Sequence, residues 1–164
     1  MSRAYIDANY LYAHLRDRID NPDPRVSQWR QHVLDELDGD PAVISALVID
    51  ELAYRMILTW LGDDGGRDPL SAYRTDPSGI TRSMRARLQE LWTALDMLNL
   101  ELAITDQGVV DRARHLLVDP GLAPRDALHA AHALESRCQM IVSSDADFDT
   151  VAGLVRIGPT TGQP

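Results

Sequence analysis

The sequence predicts an α/β fold: a three-layer sandwich with a short, mostly parallel central sheet flanked by helices. Three observations predict it. Short apolar segments of strand length alternate with longer segments of helical period, the pattern of a parallel sheet covered on both faces. The stretch Ala123–Thr150 packs a helix start, an alanine-rich helix, a buried strand and an acid-crowded turn into consecutive residues. Acids also stand at the ends of the predicted strands, the edge of a parallel sheet where ligands bind.

Taken in order, Arg3–Asp7 is a short strand leading to an acid, and Ala8–Asp17 a helix with Leu11 and Leu15 on one face. Asn21-Pro22 and Pro24 mark a loop over 20–25. Ser27–Asp38 is a helix presenting Trp29, Val33, Leu34 and Leu37, stopped by Gly39. Pro41–Ser45 is the second strand, followed by a long apolar helix, Ala46–Leu61, that carries Glu51 about one turn in. Gly62–Pro77, rich in Gly, Pro and Asp, is expected as an inserted loop with a turn of helix near Leu70–Tyr73. Ser78–Asn99 has the stripe of one amphipathic helix: Met84, Leu88, Leu91, Trp92, Leu95 and Leu98.

Leu100–Ile104 is a short strand. Asp106–Val118 is a helix with Val109, Val110, Ala113, Leu116 and Leu117 inward, closed by Pro120-Gly121. Pro124 and the Arg125–Asp126 pair suit the start of the next helix. Gln139–Val142 is a buried strand, and Val155–Ile157 a last edge strand. Residues 1–158 are thus expected to form one domain, with 159–164 as a flexible tail.

Composition narrows the chemistry. A net charge of −9 argues against holding nucleic acid by bulk attraction, yet a carboxylate cluster built for a cation would add to the same count. All sixteen basic residues are arginine, which excludes P-loop nucleotide hydrolysis, Schiff-base chemistry and receiver-type phosphoacceptor sites, all of which need lysine. The lone cysteine, Cys138, cannot form an internal disulfide and is expected to be a small packed residue. With no membrane-length apolar run and no leader pattern, the expected location is the cytoplasm.

Four acids from four segments fall at one edge of the predicted sheet. Asp7 follows the first strand, Glu51 lies a turn beyond the second, Asp126 opens the helix into the later strand, and Asp145 follows that strand. Two such charges about 4 Å apart repel by on the order of 4 kcal/mol at an effective dielectric near 20, so the cluster must take up protons or bind a cation. Hard oxygen ligands suit Mg²⁺, with Mn²⁺ as a substitute, better than Zn²⁺. Asp147 is a further candidate ligand, and Asp149 is expected on the surface. Asn9 either orients Asp7 or caps its helix locally. Asp50, about 100° around the helix from Glu51, reads as a solvated acid. His129 and His132, three apart, could share a metal with Asp126; the preferred reading is that they pack among the alanines, or that His129 sits near the site without binding. Arg82, Arg85 and Arg87 along one helix, and Arg112, Arg114 and Arg125 near these acids in sequence, could hold phosphates or simply form solvated faces and ion pairs, and none is preferred. With aromatic residues at 5%, stacking on single-stranded RNA looks thin.

The chain resembles a PIN-domain nuclease, and within that family a VapC-type ribonuclease toxin. The resemblance rests on Tyr5-Ile-Asp7-Ala-Asn9, Ile44-Ser45 with Glu51-Leu52, Asp126-Ala-Leu-His-Ala-Ala131 and Val142-Ser-Ser-Asp145-Ala-Asp147-Phe148, in that order along nearly the whole sequence. It implies that Asp7, Glu51, Asp126 and Asp145 form a metal-binding catalytic quartet that hydrolyses RNA with activated water, leaving a 5′-phosphate. It also implies an antitoxin partner and a homodimer. Ser143 stands where the family often has threonine, keeping a hydroxyl that can orient water or Asp145. The 62–77 segment and the helix after it exceed the compact family pattern, which leaves substrate choice and partner geometry open. The competing readings are an inactive PIN-like interaction module, a DNA-directed nuclease of the same fold, and an aspartate-dependent phosphatase of the haloacid dehalogenase type. The last wants an acid at position 9, where this chain has Asn9.

Overall fold

The computed structural model describes residues 3–19 and 23–159. Its elements run β1 (Ala4–Ile6), α1 (Ala8–Ile19), α2 (Pro24–Leu37), β2 (Ala42–Ser45), α3 (Ala46–Asp63), α4 (Pro69–Thr75), α5 (Pro77–Ser83), α6 (Arg85–Asp96), β3 (Leu100–Ala103), α7 (Gln107–Val118), α8 (Pro124–Glu135), β4 (Met140–Val142), a 3-10 turn (Ala146–Thr150) and β5 (Val155–Ile157). Every strand pairing is parallel, in the order β3-β2-β1-β4-β5. The helices flank this sheet as expected.

The order explains where a site can form. From β1 the chain winds outward through β2 to β3, then returns to place β4 on the other side of β1 and β5 beyond it. The winding reverses between β1 and β4, and a crevice opens there beyond the strand ends. Ile6 pairs with Val142 in register, so the next residues of both strands, Asp7 and Ser143, emerge side by side.

The central strands are apolar because they are covered on both faces. Ala4, Tyr5 and Ile6 are buried, as are Val43, Ile141 and Val142. Successive side chains alternate between faces. Tyr5 accordingly meets the α8 side, stacking on His132 at 6.3 Å, while Ile6 lies with Tyr10, Leu11 and Val33. Leu11 and Leu15 of α1 and Leu52 and Met56 of α3 carry the core outward. Trp29 of α2 donates its indole N–H to the Ile157 carbonyl at 3.1 Å, fastening the end of edge strand β5 to a helix far away in sequence.

Several expectations need correction. The loop over 20–25 ends earlier, since Asp23 caps α2 through the Arg25 N–H and Pro24 takes the first helical position; residues 20–22 lie outside the described set. The 62–77 segment is more helical than its composition suggested. Asp68 caps α4 through the Ser71 N–H at 3.0 Å, with Pro69 next, and Asp76 repeats the device for α5 through the Gly79 N–H at 2.9 Å, with Pro77 next. A Cβ at Gly79 would sit 1.9 Å from an Asp76 carboxylate oxygen, so any other residue there would displace the Asp76 cap from its present position. The single helix expected over 78–99 is two, broken at Met84, whose φ of −95° and ψ of 13° are not helical. The Ser83 hydroxyl bonds back to the Ile80 carbonyl at the break, competing with the helix's own bonding. Leu34 and Leu117, expected inward, are 55% and 41% exposed. The tail expected over 159–164 lies, beyond Pro159, outside the described residues. Cys138 is buried, as expected, between α8 and β4.

Phe148 is fully buried beneath the 3-10 turn that carries Asp145 and Asp147. Phe148→Ala is expected to cost about 3–5 kcal/mol, read as a lower denaturant midpoint at unchanged m-value in urea unfolding.

Candidate metal centre

The crevice between β1 and β4 is closed by a compact hydrogen-bonded unit. Asp7 follows β1 directly and is 6% exposed. Its Oδ2 accepts from the Ser143 hydroxyl at 2.7 Å and from Asn9 Nδ2 at 2.6 Å. The Ser143 oxygen in turn accepts from Asn9 Nδ2 at 2.9 Å and from the Asp145 N–H at 3.0 Å, while Asn9 Oδ1 accepts from the Ser144 N–H at 3.1 Å. Asn9 therefore does more than cap its own helix: it binds the β1–α1 junction to the β4 loop and orients Asp7. Asp145 caps the following turn through the Asp147 N–H at 2.9 Å, which aims its carboxylate back across the crevice mouth.

On the α8 side stands His129, which the sequence reading placed either among the alanines or near the site without binding. His129 is 1% exposed. Its Nε2 lies 3.2 Å from Glu51 Oε2 and 3.7 Å from Asp7 Oδ1. Its Nδ1 lies 2.9 Å from the Tyr5 hydroxyl, which is 2.7 Å from the Ser45 hydroxyl. With the proton on Nε2, the chain runs one way: Ser45 donates to Tyr5, Tyr5 to Nδ1, and Nε2–H to Glu51. Glu51 Oε1 is also held by Arg125 at 3.2 Å. Its clue in the sequence was its place one helical turn beyond Asp126 on the same helix. His132 turns elsewhere, its Nε2 3.1 Å from the Thr105 hydroxyl, so Asp126 and the two histidines do not form the triad the spacing allowed.

The acids fall into two neighbouring groups. Asp7, Glu51 and His129 bring donor atoms within 4.8 Å of one another, and Asp126, Asp145 and Asp147 do the same. The groups share an electrostatic field. Burial, then the Asp145 charge, hold the Asp126 carboxyl above the usual range, with Asp7 and Asp147 adding to the rise. Burial also pushes Asp7 up, against the opposing pull of His129 and the Ser143 hydrogen bond. Burial would raise Glu51 too, but the hydrogen bond and charge of His129, with Arg125 and Arg55, bring it below the usual value. Four expected ligands are thus brought to one crevice, with Asp147 beside them. Asp149 instead pairs with Arg156 at the surface, as expected, and Asp50 is exposed.

The donor set suits a hard divalent cation. Asp126, Asp145 and Asp147 offer only oxygen. The imidazole nitrogen that faces Asp7, His129 Nε2, donates to Glu51 in the Nε2-protonated tautomer and is then not a free ligand for a softer metal. The raised carboxyls Asp126 and Asp7 mark where positive charge is lacking.

A model of the PIN domain matches residues 4–154. The chain belongs to the PIN-domain family. Among solved structures it is similar to VapBC2 from Rickettsia felis bound to a DNA fragment from its promoter, at 16% identity, covering 94% of this chain and 96% of that one, with a TM-score of 0.59. It is also similar to FitAcB from Neisseria gonorrhoeae, at 19% identity over 96% of this chain and 99% of that one, with a TM-score of 0.54. A toxin–antitoxin complex from Klebsiella pneumoniae is 18% identical, covering 94% and 97%, with a TM-score of 0.50. At these identities the likeness is one of fold. No curated protein sequence matched.

Asp7 and Asp126 bind a proton more tightly folded than unfolded. Without a cation, their contribution to stability is therefore fully present at low pH and lost as pH climbs above the ordinary carboxylate range through their raised values. Glu51, with its lowered value, runs the other way and loses its contribution as pH falls. In EDTA at neutral pH, Asp126→Asn is expected to raise stability by on the order of 1 kcal/mol after solvent screening, or about 2–4 °C in Tm. Thermal unfolding checks this. Wild type should gain more from added Mg²⁺ at neutral than at acid pH, and the variant should lose most of that gain.

Proposed function

We propose that this chain is a Mg²⁺-dependent endoribonuclease acting as the toxin of a toxin–antitoxin pair. The observation that carries the reading is the set of carboxylates whose oxygens gather at the β1–β4 crevice, with Asp126 held above its usual range by burial and then by its acidic neighbours. Carboxylates crowded together in this way suit a site that a cation occupies. Membership of the PIN family and the likeness in fold to toxin–antitoxin proteins support the same reading.

In this reading Asp7, Asp126 and Asp145, with Asp147 beside them, hold the cation, and Glu51 completes the charge pattern. A bound Mg²⁺ would lower the pKa of its waters and screen the charge that develops on phosphorus. The protein's own share is positional. Asn9 and Ser143 fix Asp7 in one rotamer, and the 3-10 turn fixes Asp145. His129 is a positioning residue: it holds Glu51 between itself and Arg125 without touching solvent. Mn²⁺ would substitute, since its oxygen preferences are similar. The partner in this reading is a short antitoxin protein with a basic segment to meet the acidic crevice, and the toxin forms a homodimer. No helix among the described residues is long and apolar enough to cross a membrane.

Purified protein is expected to cleave single-stranded or structured RNA with Mg²⁺ or Mn²⁺ and to stop in EDTA. Asp7→Asn and Asp126→Asn should each reduce cleavage by at least about a hundredfold, the scale of losing one electrostatic element of an active site. Gel assays on matched RNA and DNA panels check both points. Cleavage unchanged in both variants would sink the site assignment, and cleavage of DNA alone would move the activity to the other nucleic acid.

Asn9→Ala and Ser143→Ala remove the orienting bonds but not the ligands. Each is expected to weaken Mg²⁺ affinity about 10–100-fold, measured by titration calorimetry, while leaving the fold intact by circular dichroism.

A further inference from the structure

Beside the acids lies a groove that the proposed chemistry leaves unused. It is lined by residues of α3, α4, α5 and α6 together with Arg125. One face of α3 supplies Asp50, Tyr54 and Ile57, spaced one helical turn apart. Tyr73 of α4 and Trp92 of α6 stand opposite, enclosing about 460 Å³. Tyr54 and Tyr73 meet edge to face, 5.6 Å apart at 72°. Three of the chain's nine aromatic side chains thus gather in one hollow, each only partly buried.

The groove borders the site through Arg125 and adjoins a second hollow lined by Arg82. Arg125 lines it, and its guanidinium reaches Glu51 Oε1 at 3.2 Å. Asp50 and Glu51 are adjacent on α3 but about 100° apart around it, so one opens on the groove and the other on the acids. At the far end, Tyr73 and Thr81 also line a second hollow of about 360 Å³ that contains Arg82. The order along this surface is therefore acid cluster, arginine, aromatic hollow, arginine.

We propose that this groove binds single-stranded RNA beside the cut, with one base stacked among Tyr54, Tyr73 and Trp92 and the flanking phosphates held by Arg125 and Arg82. The chemistry selects this occupant. A flat apolar group between two anionic ones is what a nucleotide within a strand presents, and aromatic faces accept any base. Planar guanidinium groups match phosphate oxygens. Asp50 and Thr81 offer acceptors to base-edge N–H groups. The volume falls in the range of small-ligand sites and is too small for a folded partner. A duplex cannot offer an unstacked base, so the groove also makes the strand preference. This rests on the ribonuclease reading and adds to it where the substrate lies.

The test uses the full-length protein with a labelled single-stranded oligoribonucleotide. In EDTA, anisotropy should show Tyr54→Leu and Tyr73→Leu weakening binding about tenfold each, the scale of one lost base–aromatic contact, while Tyr73→Phe binds like wild type. With Mg²⁺, the leucine variants should raise KM by a similar factor at nearly unchanged kcat. An abasic nucleotide walked along the strand should cost wild type binding at one position next to the cut, and cost the Tyr73→Leu variant nothing more there. The abasic scan on wild type and Trp92 fluorescence quenching by the strand keep the test open should a leucine variant fold poorly. Leucine variants that bind and cut like wild type, with no position-specific abasic effect, overturn the groove and leave the nuclease standing. Binding through the groove without cleavage of any nucleic acid removes the nuclease reading and retains the groove. If the variants loosen only a co-purifying protein, the surface is a protein dock and the proposal is wrong.

Discussion

The hydrogen bond from Ser143 to Asp7 is the contact on which this structure turns. It joins the ends of two parallel strands at the point where the winding of the sheet reverses, between residues 136 positions apart. Without it, two loops would meet at a crevice and each could relax away from the other's charge. With it, Asn9, Asp7 and the start of the Asp145 turn become one unit whose polar groups satisfy each other. The carboxylates are then held closer than they would settle alone, which makes the crevice a place for a cation. The cost of gathering them is met by the buried strands behind, where Tyr5, Ile6, Ile141 and Val142 contribute apolar contact and no charge.

Around that contact the supporting elements fall into two sets. The sheet, α1, α3 and α8 fix the acids from behind, and His129 ties Glu51 to Tyr5 and Ser45 through a buried relay. The α4–α5–α6 segment packs on α3 and, through α6, on α1, and it borders the acids where Arg125 reaches Glu51. None of its residues is among the acids at the crevice.

Much of this was legible in the sequence because the signals were local and redundant. Strand–helix alternation placed β1, β2, β4 and β5 nearly to the residue, and an acid just past each of β1 and β4 pointed to the crevice. Glu51 stood out as an acid in an apolar helix. What stayed hidden depended on contacts between distant segments or on weak local choices. Whether Asn9 capped its own helix or oriented Asp7 was undecidable until Ser143 and Ser144 came beside it. Whether His129 packed among alanines or stood near the site stayed open because its partners Tyr5 and Glu51 come from other elements. The Asp-Pro pairs at 68–69 and 76–77 carried a local signal, a capping acid before a helix-opening proline, that the Gly- and Asp-rich composition around them obscured. Aromatic content predicted no stacking surface, because a percentage says nothing about three rings meeting in one hollow.

The seam between β1 and β4 also makes the crevice a property of the closed sheet and of no shorter piece. Asp7 and Ser143 stand 136 positions apart, and closing so long a loop carries an entropic cost that only the completed strand pairing offsets. A fragment lacking β4 and the turn after it would keep Asp7 and Asn9 but lose the Ser143 hydroxyl and the Asp145 carboxylate that face them.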